Sequence, residues 1–152
     1  VRYSAKLKDK EKIHLYYFDQ KEGWSFIPTG NNKDRQVLTG ELKHLDAIAI
    51  LEDITPPIIK SMHPGENGNY PSLELNRFTI KINDTLSGFD PIEDSFDLKL
   101  DNTPLIYAFQ PKTKVISYEL ERPLQIGTHT IQFKVRDRAG NETSKNIEFK
   151  VY

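Results

Sequence analysis

The sequence predicts an all-β fold, in which an antiparallel β-sandwich follows a smaller β module whose completeness the sequence leaves open. The first observation is a period of two: in residues 78–83 (FTIKIN) and 131–136 (IQFKVR), apolar and polar side chains alternate. Neighbouring side chains of a strand point to opposite faces, so such runs bury one face and expose the other. The second is that turn residues, among them 67–69 (NGN) and 139–141 (AGN), separate the runs. The third is the lack of a convincing helical stretch, since the apolar end of residues 41–51 suits a buried strand better.

Four short runs predict strands in the first segment of the chain. They lie near residues 13–18, 24–28, 37–42 and 47–52. Four strands with one apolar face rarely hold a core by themselves at this length. The first segment therefore either packs on the second module or closes a larger sandwich that begins upstream.

A double proline separates this segment from the rest of the chain. Pro56 and Pro57 lack backbone N–H donors and have a fixed φ, so they cannot lie inside a central strand but can form a stiff connector. We therefore divide the chain into a β module at residues 1–54, a Thr-Pro-Pro linker at 55–57 and a second module at 58–152. The second module has the length of one immunoglobulin-like sandwich, which is the fold class that we predict for it.

The alternating runs of the second module also predict its core. Apolar positions of one run share a face and should fill the space between two sheets. These positions are Ile58, Phe78, Ile80, Ile82, Leu98, Leu100, Ile116, Tyr118, Leu120, Ile131, Phe133, Val135, Ile147, Phe149 and Val151.

Composition excludes several classes of function. The 152 residues include 21 Lys and Arg against 22 Asp and Glu, so the chain lacks the excess of positive charge that is typical of nucleic-acid binding. No apolar run is long enough to cross a bilayer, so we expect no membrane insertion. Cysteine is absent, which excludes disulfides and thiolate metal sites.

Catalytic patterns are missing as well. The histidines, His14, His44, His63 and His129, are scattered without the spacing of a zinc site. The sequence contains no nucleophile elbow, no phosphate-binding loop and no dinucleotide fingerprint. We therefore predict that the chain is not an enzyme, that it has no catalytic residues and that it holds no cofactor.

Acidic residues concentrate in two predicted loops. If both loops lie at the same end of the sandwich, they bring together Asp84, Asp90, Glu93, Asp94 and Asp137. Such side chains commonly accept hydrogen bonds from nearby backbone N–H groups, and this is the role that we expect. The alternative is a Ca²⁺ site, since Ca²⁺ takes several oxygen ligands; Asp84, Asp90, Asp94 and Asp137 are its candidate ligands.

Aromatic residues concentrate in the first segment. Tyr17 and Trp24 are the candidates for ligand binding there, because exposed flat rings can stack on sugars. The alternative is that these side chains anchor the core, which is the commoner position of a large aromatic at the start of a strand.

Two motifs carry a resemblance to a known family. Residues 84–90 (DTLSGFD) and 137–141 (DRAGN) resemble the bacterial immunoglobulin-like modules of secreted and cell-surface proteins, over about residues 56–152. Among the parents of such modules are lysostaphin-class zinc endopeptidases, which carry them in a C-terminal, non-catalytic region. Residues 1–54 resemble the end of the β-sandwich that often precedes them.

The resemblance implies a non-catalytic spacer or interaction module that positions a partner domain outside the cytoplasm. The expected location is extracellular, at the cell surface or periplasmic. The expected partners are neighbouring domains of a longer parent chain and, as further candidates, cell-wall glycan or a surface protein. Two alternatives stay open: a carbohydrate or cell-wall binding module that uses the aromatics of the first segment, and an accessory fragment of a secreted peptidase. The sequence does not predict the oligomeric state.

Overall fold

The computed structural model describes residues 1–4, 6, 9–42, 47–90 and 95–152. All regular structure in these residues is β-strand. In the first segment the described residues form five strands: β1 (Ile13–Asp19), β2 (Gly23–Ile27), β3 (Thr29–Asn32), β4 (Val37–Gly40) and β5 (Ile48–Glu52). Strands β2, β1 and β5 form an antiparallel sheet in that order, and β3 and β4 form a separate hairpin.

Strand β1 is buried on both of its faces. Ile13 and Leu15 point into a small cluster of the first segment, which is completed by Tyr3, Ile27 and Leu38. Tyr16 lies on the opposite face and is fully buried as well, although it does not belong to that cluster. The first segment therefore has a small core on one side of β1 and a second buried surface on the other.

One strand of the first segment was not predicted. Residues 29–32 (TGNN) contain no apolar residue, so the pattern indicated a turn. In the structure they pair with β4, and the side chain of Asn31 accepts a hydrogen bond from the Tyr3 hydroxyl and donates one to the Lys10 carbonyl. The strand is therefore stabilised by pairing with β4 and by tertiary hydrogen bonds, and not by the burial of apolar side chains.

The second part of the chain is an immunoglobulin-like β-sandwich. Its described residues form nine strands: β6 (Ile58–His63), β7 (Asn69–Tyr70), β8 (Arg77–Asn83), β9 (Phe96–Leu100), β10 (Thr103–Pro104), β11 (Ala108–Gln110), β12 (Val115–Glu119), β13 (Gly127–Arg136) and β14 (Glu142–Val151). One sheet has the order β10-β9-β13-β14-β7 and the other β11-β12-β8-β6. Apart from the parallel pair β7 and β14, the described pairings are antiparallel. The predicted fold class is confirmed.

The core lies between these two sheets and follows the predicted alternation. Eleven of the predicted positions are buried in it, and Leu100, Tyr118 and Leu120 pack against it at the margin. Ile58 was predicted wrongly: it is 47% exposed, and its neighbour Ile59 packs on the core instead. The pattern gave no basis for choosing between two adjacent isoleucines. Buried residues that the prediction omitted are Leu75, Phe89 and Phe96.

None of the described residues belongs to a helix that is long and apolar enough to cross a membrane.

Shortening Leu98 to alanine should lower the free energy of unfolding by roughly 2–5 kcal/mol, because the change leaves a cavity among closely packed side chains. Leu98 is only 2% exposed, whereas Leu73 is 84% exposed and provides a matched control. The control substitution Leu73→Ala should change stability by no more than about 0.5 kcal/mol. Urea unfolding measures both values, and equal losses in the two variants would contradict the assigned core.

Two hydrogen bonds favour the protonated form of a histidine on strand β13. The Nδ1 atom of His129 lies 2.7 Å from a carboxylate oxygen of Asp101, and its Nε2 atom lies 2.8 Å from the carbonyl oxygen of Gln125. Both partners are acceptors, so this geometry favours the imidazolium form, in which both ring nitrogens carry hydrogen. Burial lowers the pKa of His129, but the hydrogen bonds to Gln125 and Asp101 outweigh burial and raise the pKa overall.

Replacing His129 by glutamine should therefore cost more stability at low pH than at high pH. Because the folded state binds the proton more tightly than the unfolded state, the stabilisation is complete below the ordinary histidine pKa of about 6.5. It is lost as the pH rises through the raised pKa of the folded state. Urea unfolding of both proteins from about pH 5 to about pH 9 measures this difference, and a constant difference would contradict the charged pair.

Candidate functional site: a buried cluster of three carboxylates

Three aspartates meet at the end of the sandwich that faces the first segment. Asp53 directly follows β5, Asp84 directly follows β8, and Asp137 directly follows β13. Their side chains are buried, with exposed fractions of 2%, 8% and 3%. One carboxylate oxygen of each lies within 4.8 Å of the other two. We call Asp53, Asp84 and Asp137 the carboxylate cluster.

Asp84 organises the loop that follows β8. Its Oδ2 atom accepts hydrogen bonds from the backbone N–H groups of Leu86 at 3.1 Å and Gly88 at 2.7 Å. Gly88 has a φ of +68°, a conformation that glycine adopts without strain. The second oxygen, Oδ1, is buried and has no hydrogen-bond partner among the described residues. One oxygen of Asp84 thus holds the loop, and the other is left unsatisfied.

Asp137 organises the turn between β13 and β14. Its two oxygens accept hydrogen bonds from the backbone N–H and the side-chain Nδ2 of Asn141, each at 2.8 Å. Gly140, with a φ of +78°, completes the turn by donating its N–H to the Asp137 carbonyl oxygen. The sequence predicted a turn at residues 139–141 and the backbone-binding role of the Asp137 side chain.

Asp53 joins the first segment to both loops. Its Oδ1 accepts the N–H of Thr55 at 3.1 Å, and its Oδ2 accepts the N–H of Ser87 at 3.0 Å. Its backbone carbonyl accepts the Nδ2 of Asn141 at 2.9 Å. The same amide group of Asn141 therefore bonds to Asp137 and to Asp53.

Cations near the cluster bond to other groups. Lys12 donates to the Ala139 carbonyl at 2.8 Å, and Lys114 donates to Asn83 and to the Asp84 carbonyl. The Arg138 guanidinium lies over the Phe26 ring, 5.5 Å from its centroid. Within the described part of the chain, none of the three carboxylates forms an ion pair with Lys, Arg or His.

Burial raises the pKa of the Asp137 carboxyl group, and the hydrogen bonds from Asn141 oppose this effect. The negative charges of Asp53 and Asp84 raise the pKa further. Because like charges in a buried site repel strongly, the arrangement favours a compensating positive charge between the three side chains.

Tyr16 approaches the cluster from the first segment. Its ring contacts Phe26 edge-on, with centroids 5.7 Å apart, and Phe26 in turn lies under Arg138 of the β13–β14 turn. The Tyr16 hydroxyl is buried and has no hydrogen-bond partner among the described residues. Burial, followed by the charges of Asp53, Asp137 and Asp84, raises the pKa of Tyr16. The charges of the cluster therefore act on the Tyr16 hydroxyl group.

The structure brings together two of the four predicted calcium ligands. Asp84 and Asp137 belong to the cluster, whereas Asp90 does not, and its backbone N–H bonds to Ser95 Oγ at 3.2 Å. Asp94 and the neighbouring Glu93 lie outside the described residues. Sequence reasoning missed Asp53, because the candidate acids were drawn only from two loops of the second module and Asp53 belongs to the first segment. The feature of the sequence that pointed to Asp53 is its position directly after a predicted strand, just before the chain enters the sandwich.

The aromatic candidates do not form a shared platform. In the β1–β2 pairing Tyr17 is opposite Ser25 and Phe18 is opposite Trp24, so Tyr17 and Trp24 project from opposite faces. Tyr17 packs against the small core of the first segment. The Trp24 ring meets Phe18 at an interplanar angle of 69°, which is an edge contact and not a flat surface for a sugar.

The chemistry of the cluster is that of oxygen donors. Hard cations such as Ca²⁺ and Mg²⁺ prefer carboxylate and other oxygen ligands, whereas copper prefers imidazole, thioether or thiolate ligands. Within the described residues, no other group of three or more His, Cys, Asp or Glu side chains has the spacing of a metal site. His44 lies outside these residues.

Comparisons with known proteins show the fold of the sandwich. A scan against protein-family models finds no match, and a search of curated proteins finds none either. Among solved structures, the chain is similar to CopC from Methylosinus trichosporium OB3b, with 13% identity and a TM-score of 0.50. The match covers 62% of the present chain and 92% of CopC. It is also similar to PcoC, a methionine-rich copper resistance protein from Escherichia coli, with 14% identity and a TM-score of 0.50. This match covers 64% of the present chain and 100% of PcoC. Both are bacterial β-sandwich proteins, and neither supports the lysostaphin-class parent.

These neighbours correct the expectation that the chain holds no cofactor. PcoC, which shares the sandwich, is described as a copper resistance protein, so this fold gives no support to an expectation of no cofactor. Copper does not suit the carboxylate cluster, which is the metal-type group found among the described residues. This chain has one methionine, Met62, and no cysteine, so it cannot provide a methionine-rich or thiolate site.

Replacing Asn141 by alanine should lower the free energy of unfolding by roughly 1.5–3 kcal/mol, because it leaves acceptors of Asp137 and Asp53 buried and unpaired. Asn146 lies five residues further along the chain, on β14, and is exposed, so Asn146→Ala is the matched control. That substitution should change stability by no more than about 0.5 kcal/mol. Chemical unfolding measures both variants. Equal stability of Asn141→Ala and wild type would contradict a structural role for this amide.

Proposed function

We propose that the chain is a non-catalytic spacer module that holds a partner domain of a longer bacterial protein at a fixed position outside the cytoplasm. The observation that carries the proposal is the direct attachment of the β13–β14 turn to the first segment. A spacer transmits position only if its parts do not swing independently, and attachment across the linker provides this property.

Several contacts cross from one part of the chain to the other. Asn141 bonds to the Asp53 carbonyl, and Lys12 bonds to the Ala139 carbonyl. Ser87 in the other loop donates its N–H to the Asp53 carboxylate. The end of β5, the loop after β8 and the β13–β14 turn are thus joined by hydrogen bonds between polar groups that are mostly buried. The loss of a buried hydrogen bond is costly, because it leaves its partner unpaired.

The linker itself is also tied to the sandwich. Thr143 donates its hydroxyl hydrogen to the Pro57 carbonyl at 2.5 Å, and the Pro57 side chain is buried. Because Pro56 and Pro57 each have a fixed φ, the connection has few torsions that can rotate. These features support a stiff joint rather than a flexible tether.

The family resemblance supplies the setting of the proposal. It implies neighbouring domains in a longer parent and a location that is extracellular, at the cell surface or periplasmic. A peptidase parent remains one candidate within this proposal. A glycan-binding role receives less support, because Tyr17 and Trp24 lie on opposite faces.

The stiff joint can be measured with a pair of spin labels. Since the chain has no cysteine, Glu22→Cys and Lys112→Cys introduce unique labelling sites on exposed positions on the two sides of the linker. Pulsed electron paramagnetic resonance should give one narrow distance distribution. Its width should match that of a control pair, Glu74→Cys and Lys112→Cys, which lies within the sandwich.

A distribution much broader than the control would contradict the spacer proposal, because it would show that the two parts reorient freely. Several separate distances would contradict it equally. Circular dichroism of each labelled protein ensures that a broad distribution is not the result of unfolding.

A further inference from the structure

We propose that the carboxylate cluster binds one hard divalent cation of the Ca²⁺ and Mg²⁺ class. This inference concerns Asp53, Asp84 and Asp137 and does not depend on the spacer role. It also differs from the calcium site that the sequence suggested, because it includes Asp53 and does not use Asp90 or Asp94.

The spacing of the three carboxylates suits a single ion. Ca²⁺ binds its oxygen ligands at about 2.3–2.6 Å, so two oxygens on one ion are at most about 5 Å apart. One oxygen from each of the three aspartates lies within 4.8 Å of the others. The spacing is therefore compatible with a single ion shared by all three side chains.

The charge of the cluster favours such an ion. Three aspartates that are 2%, 8% and 3% exposed are costly to bury in the ionised form unless an opposite charge lies beside them. Lys12, Lys114 and Arg138 have other partners and form no ion pair with the cluster. A divalent cation would cancel most of the formal charge.

Unsatisfied oxygen atoms provide a separate observation that points to a ligand. Asp84 Oδ1 is buried and has no hydrogen-bond partner among the described residues, although the other oxygen of this side chain has two. The Tyr16 hydroxyl is also without a partner there, on a side chain that is fully buried. Native structures leave few buried polar atoms unpaired, and an ion or its bound water is a common partner.

The ligand chemistry selects the class of cation. Each group in the cluster offers oxygen, which suits Ca²⁺ or Mg²⁺ and not copper. Mg²⁺ requires shorter bonds and a stricter octahedral arrangement than Ca²⁺ does, so the two ions are separate arms of one experiment.

The experiment is a calorimetric titration of the folded 152-residue chain, stripped with a chelator, with CaCl₂, MgCl₂ and CuSO₄ in turn. We expect one Ca²⁺ or Mg²⁺ per chain, with a dissociation constant of about 10⁻⁴–10⁻³ M or tighter, the range of extracellular calcium modules. The bound ion should also raise the melting temperature, because it binds the folded state. Tighter binding of Ca²⁺ or of Mg²⁺ would identify the preferred ion within the class.

The test variant is Asp84→Asn. Asparagine keeps an oxygen that can accept from Leu86 and Gly88, so the loop can persist while one charge and one ligand are lost. We expect binding to weaken at least about tenfold. Asp34→Asn removes an equal charge from an exposed turn and should leave the affinity unchanged.

A second measurement does not depend on the folding of the Asp84 variant. Tb³⁺ replaces Ca²⁺ in oxygen sites and emits light when a nearby tyrosine is excited. In the wild-type chain the Tb³⁺ emission should fall when Ca²⁺ or Mg²⁺ is added. In Tyr16→Phe most of the emission should disappear although Tb³⁺ still binds.

Three results would overturn the proposal. The first is the absence of Ca²⁺ and Mg²⁺ binding by the folded wild-type chain at millimolar concentration. The second is equal affinity in wild type and a folded Asp84→Asn variant. The third is Cu²⁺ binding that depends on Asp84 when neither Ca²⁺ nor Mg²⁺ binds.

Discussion

The structure depends on one buried side-chain amide, that of Asn141. Its Nδ2 atom donates to the Asp137 carboxylate within its own turn and to the Asp53 carbonyl in the first segment. The first bond stabilises the β13–β14 turn, and the second positions that turn against the end of β5. Because the amide is buried, neither acceptor has water as a substitute partner, and both bonds must form together. This is how a local turn motif becomes a junction between two parts of the chain.

The same junction concentrates negative charge. Each carboxylate of the cluster accepts backbone N–H groups, which partly compensates for burial, but these dipoles do not cancel three like charges. A purely structural junction could have used asparagine or serine at these positions. The combination of carboxylates, an unpaired Asp84 oxygen and a nearby Tyr16 hydroxyl is therefore the feature that most strongly suggests a ligand.

Particular residues show how far prediction from sequence reaches. The alternation in β8, β13 and β14 depends only on neighbouring residues, so it identified core positions such as Ile80, Phe133 and Phe149. Asp84 and Asp137 were recognised as loop acids because each lies in a turn motif. Asp53 was missed, because its partner Asn141 is 88 residues away in sequence and only the folded chain shows their contact. The choice between Ile58 and Ile59 likewise depended on the register of β6 against β8.

By itself, the sequence determined the all-β class, the sandwich of the second part and most of its core, because strand alternation and turn chemistry are local properties. Only the tertiary structure decided that both faces of β1 are buried and that Asp53 joins Asp84 and Asp137 in one cluster. It also decided that the candidate aromatics do not form a common face. The physical reason is that burial and charge proximity depend on how distant strands pack, which no periodicity in the chain records.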